Sequence, residues 1–234
     1  YYNKYAIVTG SSSGIGKFLS IELAKKNFNV IMISRNKKKL QQVSNEINLL
    51  NYKCSMIVAD ISKEKDISKI NSQIKSLNID VLINNAGVGI FNKIQDISFK
   101  EWNHHIDINL TGTFMMTKIV VDNMIKNKSG KIVFINSVAG LQPYPYSSAY
   151  VASKFGLTGF SSSLREELRQ ENIKVISIHP GSVDTSFWEK SNADFSRENM
   201  LSAKDIACSI TSAILAPNNL VYEKLVLRRT AGDF

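Results

Sequence analysis

Thr9-Gly10-Ser11-Ser12-Ser13-Gly14-Ile15-Gly16 is the stretch that decides the fold of this chain. It follows an apolar strand predicted at 6–8 and runs directly into a helix predicted over 15–26. Glycines at such a junction permit a tight turn and let the backbone approach a phosphate, while the helix N-terminus favours an anion. The spacing is Gly-x-x-x-Gly-x-Gly, which departs from the Gly-x-Gly-x-x-Gly form, and a ligand-free turn is the alternative. The position favours nucleotide binding, with contacts predicted at Gly10, Ser12, Ser13, Gly14, Ile15 and Gly16.

Apolar runs alternate with helical periodicity along the rest of the chain, without an internal repeat or a composition boundary. Strands are predicted at 6–8, 30–33, 54–59, 81–83, 131–135, 175–178 and 225–227. Helices are predicted over 15–26, 37–50, 66–77, 99–127, 150–171 and 202–215. Continuous Val- and Ile-rich strands that alternate with helices indicate a parallel sheet covered on both faces. The predicted fold is α/β: one Rossmann domain over residues 1–234, with a doubly wound, seven-stranded parallel sheet.

Composition narrows the class of protein. The 234 residues carry a net charge of +9 and 44% hydrophobic side chains, enough for one sizeable core. The lysines are scattered and form no basic stripe interleaved with aromatics, so we expect no nucleic-acid partner, and the charge is better suited to an anionic cofactor or substrate. Cys54 and Cys208 are far apart, which predicts neither a disulfide framework nor a metal site. No apolar run reaches the roughly 18 residues of a membrane span, and the first residues lack a signal-peptide pattern, so a cytoplasmic protein with no membrane partner is expected.

The residue after the second predicted strand bears on the choice of cofactor. Nucleotide-binding folds of this type usually carry an acidic residue there, against the ribose 2′-hydroxyl. This chain has Ser34-Arg35-Asn36 instead, followed by three lysines at 37–39. The planar guanidinium of Arg35 suits a 2′-phosphate, which predicts NADP rather than NAD. The alternative is a surface arginine at a strand end.

Polar residues also end the third and fourth predicted strands. Asp60 follows the third strand, and Asn84-Asn85-Ala86-Gly87 closes the fourth. Because ligands bind at the carboxyl edge of an open parallel sheet, we predict cofactor contacts at Asp60, Asn85, Ala86 and Gly87. The alternative is that Asp60 only forms a turn or caps a helix, and that the segment 84–87 is only a turn.

Tyr150 and Lys154 are four residues apart and therefore share one face of a predicted helix. Two unit charges about 4 Å apart interact by roughly 4 kcal/mol at an effective dielectric of 20, and one pKa unit is about 1.4 kcal/mol. A nearby ammonium is therefore expected to lower the pKa of the tyrosine, which suits a general acid. The alternative is an amphipathic helix in which the tyrosine packs and the lysine is solvated.

The chain resembles the short-chain dehydrogenase/reductase family over essentially its whole length. The residues that carry the resemblance are Thr9-Gly10-x-x-x-Gly14-Ile15-Gly16, Asp60, Asn84-Asn85-Ala86-Gly87, Asn109, Ser137, Tyr150-x-x-x-Lys154 and Pro180-Gly181-x-x-x-Thr185. They occur in the family's order and at the family's spacings, and the chain is similar to NADP-dependent 3-oxoacyl-carrier-protein reductases and carbonyl reductases. The resemblance implies a catalytic set of Asn109, Ser137, Tyr150 and Lys154, of which Tyr150 and Lys154 would also contact the cofactor.

The resemblance also implies a role for each catalytic residue. Ser137 would hold the substrate carbonyl oxygen and Tyr150 would donate a proton to it as hydride arrives from the nicotinamide. Lys154 would lower the pKa of the tyrosine and hold the nicotinamide ribose. Asn109 would mark a kink that orients a water linking Lys154 to solvent, although a helical asparagine that faces solvent is the alternative.

The segment after the sixth strand completes the predicted cofactor site. Pro180 and Gly181 stop the strand, and by resemblance Val183 and Thr185 contact the nicotinamide carboxamide, with all four residues as cofactor contacts. His179 precedes them and is expected to be a core or supporting residue. His104 and His105 have no cysteine nearby, and no metal is assigned.

The irregular segment 186–200 is expected to be a substrate lid. Phe187, Trp188 and Phe195 would form its apolar walls, or alternatively cap the core or an oligomer contact. Tyr144 and Tyr146 are candidates to line the same pocket.

The leading hypothesis is an NADPH-dependent reductase of a ketone or aldehyde, with a small-molecule or acyl-type carbonyl substrate. An NADP-dependent dehydrogenase that oxidises a hydroxy acid or another alcohol is the main alternative, and a non-catalytic dinucleotide-binding protein is the third. The resemblance implies a homodimer or homotetramer packed through the helices predicted over 99–127 and 150–171.

Overall fold

The computed structural model describes residues 4–191 and 196–232. Its strands are β1 (Lys4–Thr9), β2 (Phe28–Ser34), β3 (Cys54–Val58), β4 (Ile79–Asn84), β5 (Gly130–Ile135), β6 (Ile173–Pro180), β7 (Val183–Asp184), β8 (Leu201–Ser202) and β9 (Lys224–Leu227). Its α-helices are α1 (Gly14–Lys25), α2 (Lys37–Leu49), α3 (Glu64–Ile74), α4 (Phe99–Ile106), α5 (Gly112–Asn127), α6 (Ser148–Leu168) and α7 (Ala203–Ile214). None of the helices in these ranges is both long enough and apolar enough to cross a lipid bilayer.

The main sheet has seven strands in the order β3-β2-β1-β4-β5-β6-β9. Every pairing within it is parallel. The strand order reverses between β1 and β4, and in open sheets of this kind ligands bind above the carboxyl ends of the strands at such a reversal. The predicted fold is confirmed.

The helices cover both faces of the sheet. Alternate residues of β1 enter different buried clusters: Ala6 and Val8 belong to one, and Ile7 belongs to the other. The first cluster includes residues of α1, α2 and α7, and the second includes residues of α3, α5 and α6. Because both faces are buried, the strands are apolar at consecutive positions rather than at every second one.

The helix predicted over 99–127 is interrupted. After α4, a π-helical turn spans Asp107–Thr111 before α5 begins. Turns of this type insert an extra residue and often occur at functional sites. At Gly112 a Cβ would lie 2.9 Å from the carbonyl oxygen of Ile61, so the close approach here requires glycine. The interruption turns Asn109 inward, where it is buried.

A second, two-stranded sheet was not predicted. β7 pairs in parallel with β8, with Val183 opposite Leu201 and Asp184 opposite Ser202. Strands of two residues are too short to show a periodicity in the sequence. Their pairing brings together the two ends of the segment 186–200.

Candidate active site

The glycine-rich loop lies above the carboxyl ends of β1 and β4. Gly10 and Gly14 have φ angles of 66° and 53°, in the left-handed region that glycine adopts readily. At Gly16 a Cβ would lie 2.5 Å from the carbonyl oxygen of Gly10, so glycine is required for α1 to start so close to the loop. Gly16 thus packs beneath the loop, which keeps the backbone at the N-terminus of α1 open to a ligand.

Thr9 and Asn85 hold the loop to β4. The Asn85 side-chain amide donates to the carbonyl oxygens of Thr9 and Gly10, at 2.9 and 3.2 Å. The Thr9 hydroxyl accepts from the backbone N–H groups of Asn85 and Ala86, both at 3.0 Å. The Asn85 side chain, predicted as a cofactor contact, therefore also fixes the conformation of the glycine-rich loop.

A cavity of about 1220 Å³ follows the carboxyl edge of the sheet. The predicted site residues that line it are Gly10, Ser12, Ser13, Gly14, Ile15, Arg35, Asp60, Asn85, Ala86, Gly87, Ser137, Tyr150, Lys154, Pro180, Gly181, Val183 and Thr185. The two predicted residues outside this lining are Gly16, beneath the loop, and Asn109, behind the cavity wall. Residues up to 175 positions apart in sequence, from Gly10 to Thr185, thus come together along one surface.

Arg35 lies at one end of the cavity with its side chain half exposed, and its Nη1 is 3.8 Å from Asp60 Oδ2. Burial alone would raise the pKa of Asp60, but hydrogen bonds from Ser62 and the nearby Arg35 outweigh it and hold that pKa below its usual value. The charged Asp60 therefore lies within ion-pair distance of Arg35. The Ser34 hydroxyl, next to Arg35, bonds to the Ser12 hydroxyl at 2.7 Å, which ties this corner to the glycine-rich loop.

Ser137, Tyr150 and Lys154 meet further along the cavity. The Lys154 Nζ lies 5.7 Å from the centroid of the Tyr150 ring. The side chains of Ser137 and Tyr150 are hydrogen-bonded. Lys154 Nζ donates to the carbonyl oxygen of Ile135 at 3.0 Å, which fixes the lysine against the end of β5. The three residues thus bring a hydroxyl, a phenol and an amine together in one part of the cavity.

Burial has the largest effect on the pKa values of Tyr150 and Lys154. It raises the pKa of Tyr150 to about 12, with the Ser137 hydrogen bond acting in the opposite direction. Burial also lowers the pKa of Lys154 to about 8. The net lowering of the Tyr150 pKa that the sequence led us to expect is therefore not found, because desolvation of the phenolate has the larger effect. The part that Lys154 plays in the acidity of Tyr150 stays a prediction. Near neutral pH the phenol is protonated and the lysine is still mostly charged.

His179 supports Ser137 from behind. Its Nδ1 donates to the carbonyl oxygen of Ser137 at 2.9 Å, and its Nε2 is 2.9 Å from the Ser177 hydroxyl. Burial lowers the pKa of His179 to about 4, so the ring is neutral and its Nε2 can accept the Ser177 proton. This agrees with the predicted supporting role. In the described part of the chain, no group of three or more His, Cys, Asp or Glu side chains is arranged to hold a metal ion.

Asn109 contacts the loop beside the active site rather than Lys154. Its Oδ1 accepts from Val88 N at 2.8 Å, and its Nδ2 donates to Val88 O at 2.9 Å and to the Ser153 hydroxyl at 3.0 Å. The solvent-facing alternative is wrong, since the side chain is buried. The side chain fixes the backbone that follows Gly87, and the water-positioning role stays a prediction.

Three aromatic rings form a cluster at Tyr150: Phe91 and Phe187 contact Tyr150, and Trp188 contacts both of them. Two of the three were predicted. Phe187 and Trp188 belong to the expected lid, and their ring centroids are 5.4 Å apart. The third ring, Phe91, comes from the loop after β4 and lies 5.5 Å from the Tyr150 ring. Nothing in the sequence around Phe91 distinguishes it from a solvated loop residue. Tyr144 and Tyr146 also line the cavity, while Phe195 lies outside the described residues.

Comparison with known proteins agrees with this arrangement. The family model described as short chain dehydrogenase matches residues 4–196. A sepiapterin reductase of Chlorobaculum tepidum is 33% identical over 236 residues, which cover 97% of this chain and 96% of the relative. A metagenomic short-chain oxidoreductase solved in complex with NADP is 29% identical, with a TM-score of 0.85 and 97% of each chain covered. A serine dehydrogenase complexed with NADP⁺ shares the fold, with a TM-score of 0.89 at 24% identity over 98% of this chain and 96% of that one.

Two findings define the class of this protein. The family model matches most of the chain, and Ser137, Tyr150 and Lys154 lie in one cavity. The chain belongs to the short-chain dehydrogenase family of oxidoreductases.

Proposed function

We propose that this protein is an NADP-dependent oxidoreductase that reduces a ketone or aldehyde to an alcohol, with Tyr150 as the proton donor. The observation that carries the proposal is one cavity with Arg35 at one end and Ser137, Tyr150 and Lys154 further along it. Arg35 suits the 2′-phosphate of a phosphorylated dinucleotide, and the set of Ser137, Tyr150 and Lys154 suits a carbonyl oxygen. The sepiapterin reductase named above and the NADP complex of the metagenomic relative support the same reading.

The residues present fit the proposed cofactor. The glycine-rich loop offers backbone with no side chain at Gly10 and Gly14, where a Cβ would meet Ala86 and Thr185 within 3 Å. This close packing leaves the phosphate side of the loop open next to the N-terminus of α1. Arg35, with Ser12 and Lys39 lining the same end, would hold the 2′-phosphate. Asp60, Ala86, Gly87, Val183 and Thr185 line the path from there towards Tyr150.

NADPH would supply a hydride to the carbonyl carbon, and the remaining chemistry falls to side chains of this protein. Ser137 and Tyr150 would both donate hydrogen bonds to the carbonyl oxygen and so fix its position. As negative charge develops on that oxygen, the Tyr150 proton moves to it and completes the alcohol. A phenol with a pKa of about 12 is held in the donor form at neutral pH. The Lys154 ammonium would stabilise the phenolate that remains.

The proposal is tested by incubating the purified protein with NADPH and a panel of carbonyl compounds. The panel contains sepiapterin, 1,2-dicarbonyls, simple aldehydes and 3-oxoacyl thioesters, and consumption of NADPH is followed by absorbance. We expect reduction of at least one class, with the alcohol recovered as product. Absence of NADPH consumption across the panel would contradict the proposal.

Replacing Arg35 by alanine should change the choice of cofactor. Charge-assisted hydrogen bonds contribute roughly 1.5–3 kcal/mol, so we expect the ratio of kcat/KM for NADPH over NADH to fall about 10- to 100-fold. Arg169→Ala is a matched control, because Arg169 is exposed and bonds to Glu166 and Glu223 away from the cavity. An unchanged ratio in Arg35→Ala would remove Arg35 from the 2′-phosphate site.

An apolar surface supports the predicted homo-oligomer. Phe114 on α5 and Phe155 on α6 are exposed by 45% and 43%, on the two helices expected to pack against a second copy. Sedimentation or light scattering of the purified protein would give the mass, and a monomer at micromolar concentration would contradict this assignment.

A further inference from the structure

The substrate end of the cavity is walled by aromatic rings. Phe91, Phe187 and Trp188, the aromatic cluster, all line the cavity next to Tyr150. Phe91 is central to it: its ring centroid is 5.5 Å from Tyr150, 6.3 Å from Phe187 and 6.0 Å from Trp188. Phe187 is itself 5.9 Å from Tyr150. A substrate whose carbonyl oxygen reaches the Tyr150 hydroxyl therefore comes close to the rings of Phe91 and Phe187.

Two backbone hydrogen bonds, one made by Ile90 and one by Phe91 itself, hold the loop that carries Phe91. The backbone N–H of Ile90 donates to Nε2 of His105 at 3.0 Å. The backbone N–H of Phe91 donates to the carbonyl oxygen of Ser191 at 3.0 Å. The loop that carries Phe91 is therefore tied to α4 on one side and to the lid segment on the other.

His105 is suited to hold this loop. Its ring is buried, its centroid lies 6.4 Å from the Tyr150 ring, and its Nδ1 donates to the carbonyl oxygen of Glu101 at 2.8 Å. With the proton on Nδ1, Nε2 is an acceptor, as the Ile90 N–H requires. Burial lowers the pKa of His105, which keeps the ring neutral near neutral pH. His105 is thus a positioning residue for the loop rather than a catalytic residue.

The lid is fixed in the same way. The Trp188 indole N–H donates to the carbonyl oxygen of Val183 at 2.9 Å. The Phe187 ring packs against Gly89, where a Cβ would lie 3.0 Å from its Cε2 atom. Aromatic walls that are already ordered lose little side-chain freedom when a substrate binds, so their contact energy is available for recognition. Aromatic pairs gain stability beyond the area that they bury, which an aliphatic group of the same size does not.

We propose that the substrate carries an aromatic ring next to the reducible carbonyl, and that Phe91, held in place by His105, is the residue that determines this specificity. The proposal rests on the proposed carbonyl reduction and deepens it by naming the substrate class. It disfavours flexible acyl thioesters, which would gain area against the rings but no ring–ring contact.

The test compares two diketones of similar size, 1-phenyl-1,2-propanedione and 1-cyclohexyl-1,2-propanedione, with NADPH as reductant. Each aromatic contact contributes roughly two- to tenfold, so we expect kcat/KM for the phenyl compound to exceed that for the cyclohexyl compound by about tenfold. Phe91→Leu keeps an apolar wall without the ring and should lower this ratio to about two- or threefold. Phe99→Leu is the matched control, since Phe99 is 79% exposed at the start of α4, and its ratio should equal that of the unmodified protein.

The role of His105 is tested with two substitutions. In His105→Leu the Ile90 N–H loses its acceptor, and the phenyl preference should fall as in Phe91→Leu. In His105→Gln the amide oxygen can accept the same hydrogen bond, and much of the preference should return.

The outcomes separate the two proposals. Equal kcat/KM for the two diketones, with both reactions abolished by Tyr150→Phe, would overturn the aromatic specificity and leave the carbonyl reductase intact. If the protein reduced only aliphatic aldehydes or 3-oxoacyl thioesters, the aromatic specificity would likewise be overturned and the carbonyl reductase left intact. If none of the carbonyl compounds, including both diketones, caused NADPH to be consumed, both proposals would be overturned.

Discussion

Replacing Tyr150 by phenylalanine should lower kcat for carbonyl reduction by about 10²- to 10⁴-fold, the usual contribution of a positioned general acid. The phenylalanine ring keeps the contacts with Phe91 and Phe187 and loses only the hydroxyl that bonds to Ser137. The fold should therefore survive, and NADPH should bind with nearly unchanged affinity. Steady-state kinetics and a fluorescence titration of NADPH measure the two quantities separately.

Tyr222→Phe serves as the control for this prediction, because Tyr222 is 43% exposed and does not line the cavity. Its kcat should match that of the unmodified protein. If Tyr150→Phe retained full activity, another group would have to donate the proton, and the proposed role of Tyr150 would be wrong.

The pKa of Tyr150 also limits which group can explain a change of rate with pH. With a pKa raised to about 12, the phenol stays protonated throughout the range in which proteins are usually assayed. Ionisation of Tyr150 therefore cannot cause a loss of activity near pH 8. Lys154, with a pKa of about 8, is the buried group in this site that changes charge there.

The strand and helix pattern of the fold could be predicted because most of its causes are local. Glycines at 10, 14 and 16 mark the turn, and the apolar runs mark strands that are buried on both faces. The interruption at Asp107–Thr111 lies where the family resemblance implied a kink at Asn109, but the apolar periodicity of 99–127 alone did not show it. That turn depends on contacts such as Ile61 against Gly112, which join segments distant in sequence.

The part of the candidate site that could be predicted consists of residues in motifs with a fixed spacing. Ser137, Tyr150 and Lys154 line one cavity, as expected, because Ser137 follows the strand β5 and the other two share one face of the helix α6. Phe91 and His105 were missed as parts of the site, because a loop conformation and a buried hydrogen bond decide their positions. The direction of the Tyr150 pKa shift was also missed, since the sequence shows the neighbouring lysine but not the degree of burial.

Lys154→Met should lower kcat/KM by about 100-fold at pH 7. The Lys154 Nζ lies 5.7 Å from the centroid of the Tyr150 ring. A unit charge at about that distance contributes roughly 3 kcal/mol at an effective dielectric of 20, which corresponds to a factor of about 100 in rate. Methionine has a similar unbranched shape and keeps the packing of α6 against β5, so the change removes the ammonium and its hydrogen bond to Ile135 O. Lys118→Met, on α5 and away from the cavity lining, is the matched control and should retain full activity.

The pH dependence gives this prediction a second, independent test. Because burial lowers the pKa of Lys154 to about 8, the unmodified protein should lose activity as the pH rises through 8, and Lys154→Met should show a flat profile there.

The free energy of unfolding should depend on pH in the opposite direction to the activity. The folded pKa lies below the ordinary value of 10.5, so the unfolded chain binds more protons between those values, and this group makes the fold more stable as the pH rises from 8 to 10.5. At pH 7 the methionine variant, which buries no charge, should unfold at a urea concentration equal to or above that of the unmodified protein. A variant that was inactive only because it had lost its fold would show a lower unfolding midpoint. Full activity, with the fall near pH 8 unchanged, would show instead that the spacing of Tyr150 and Lys154 on α6 serves packing alone.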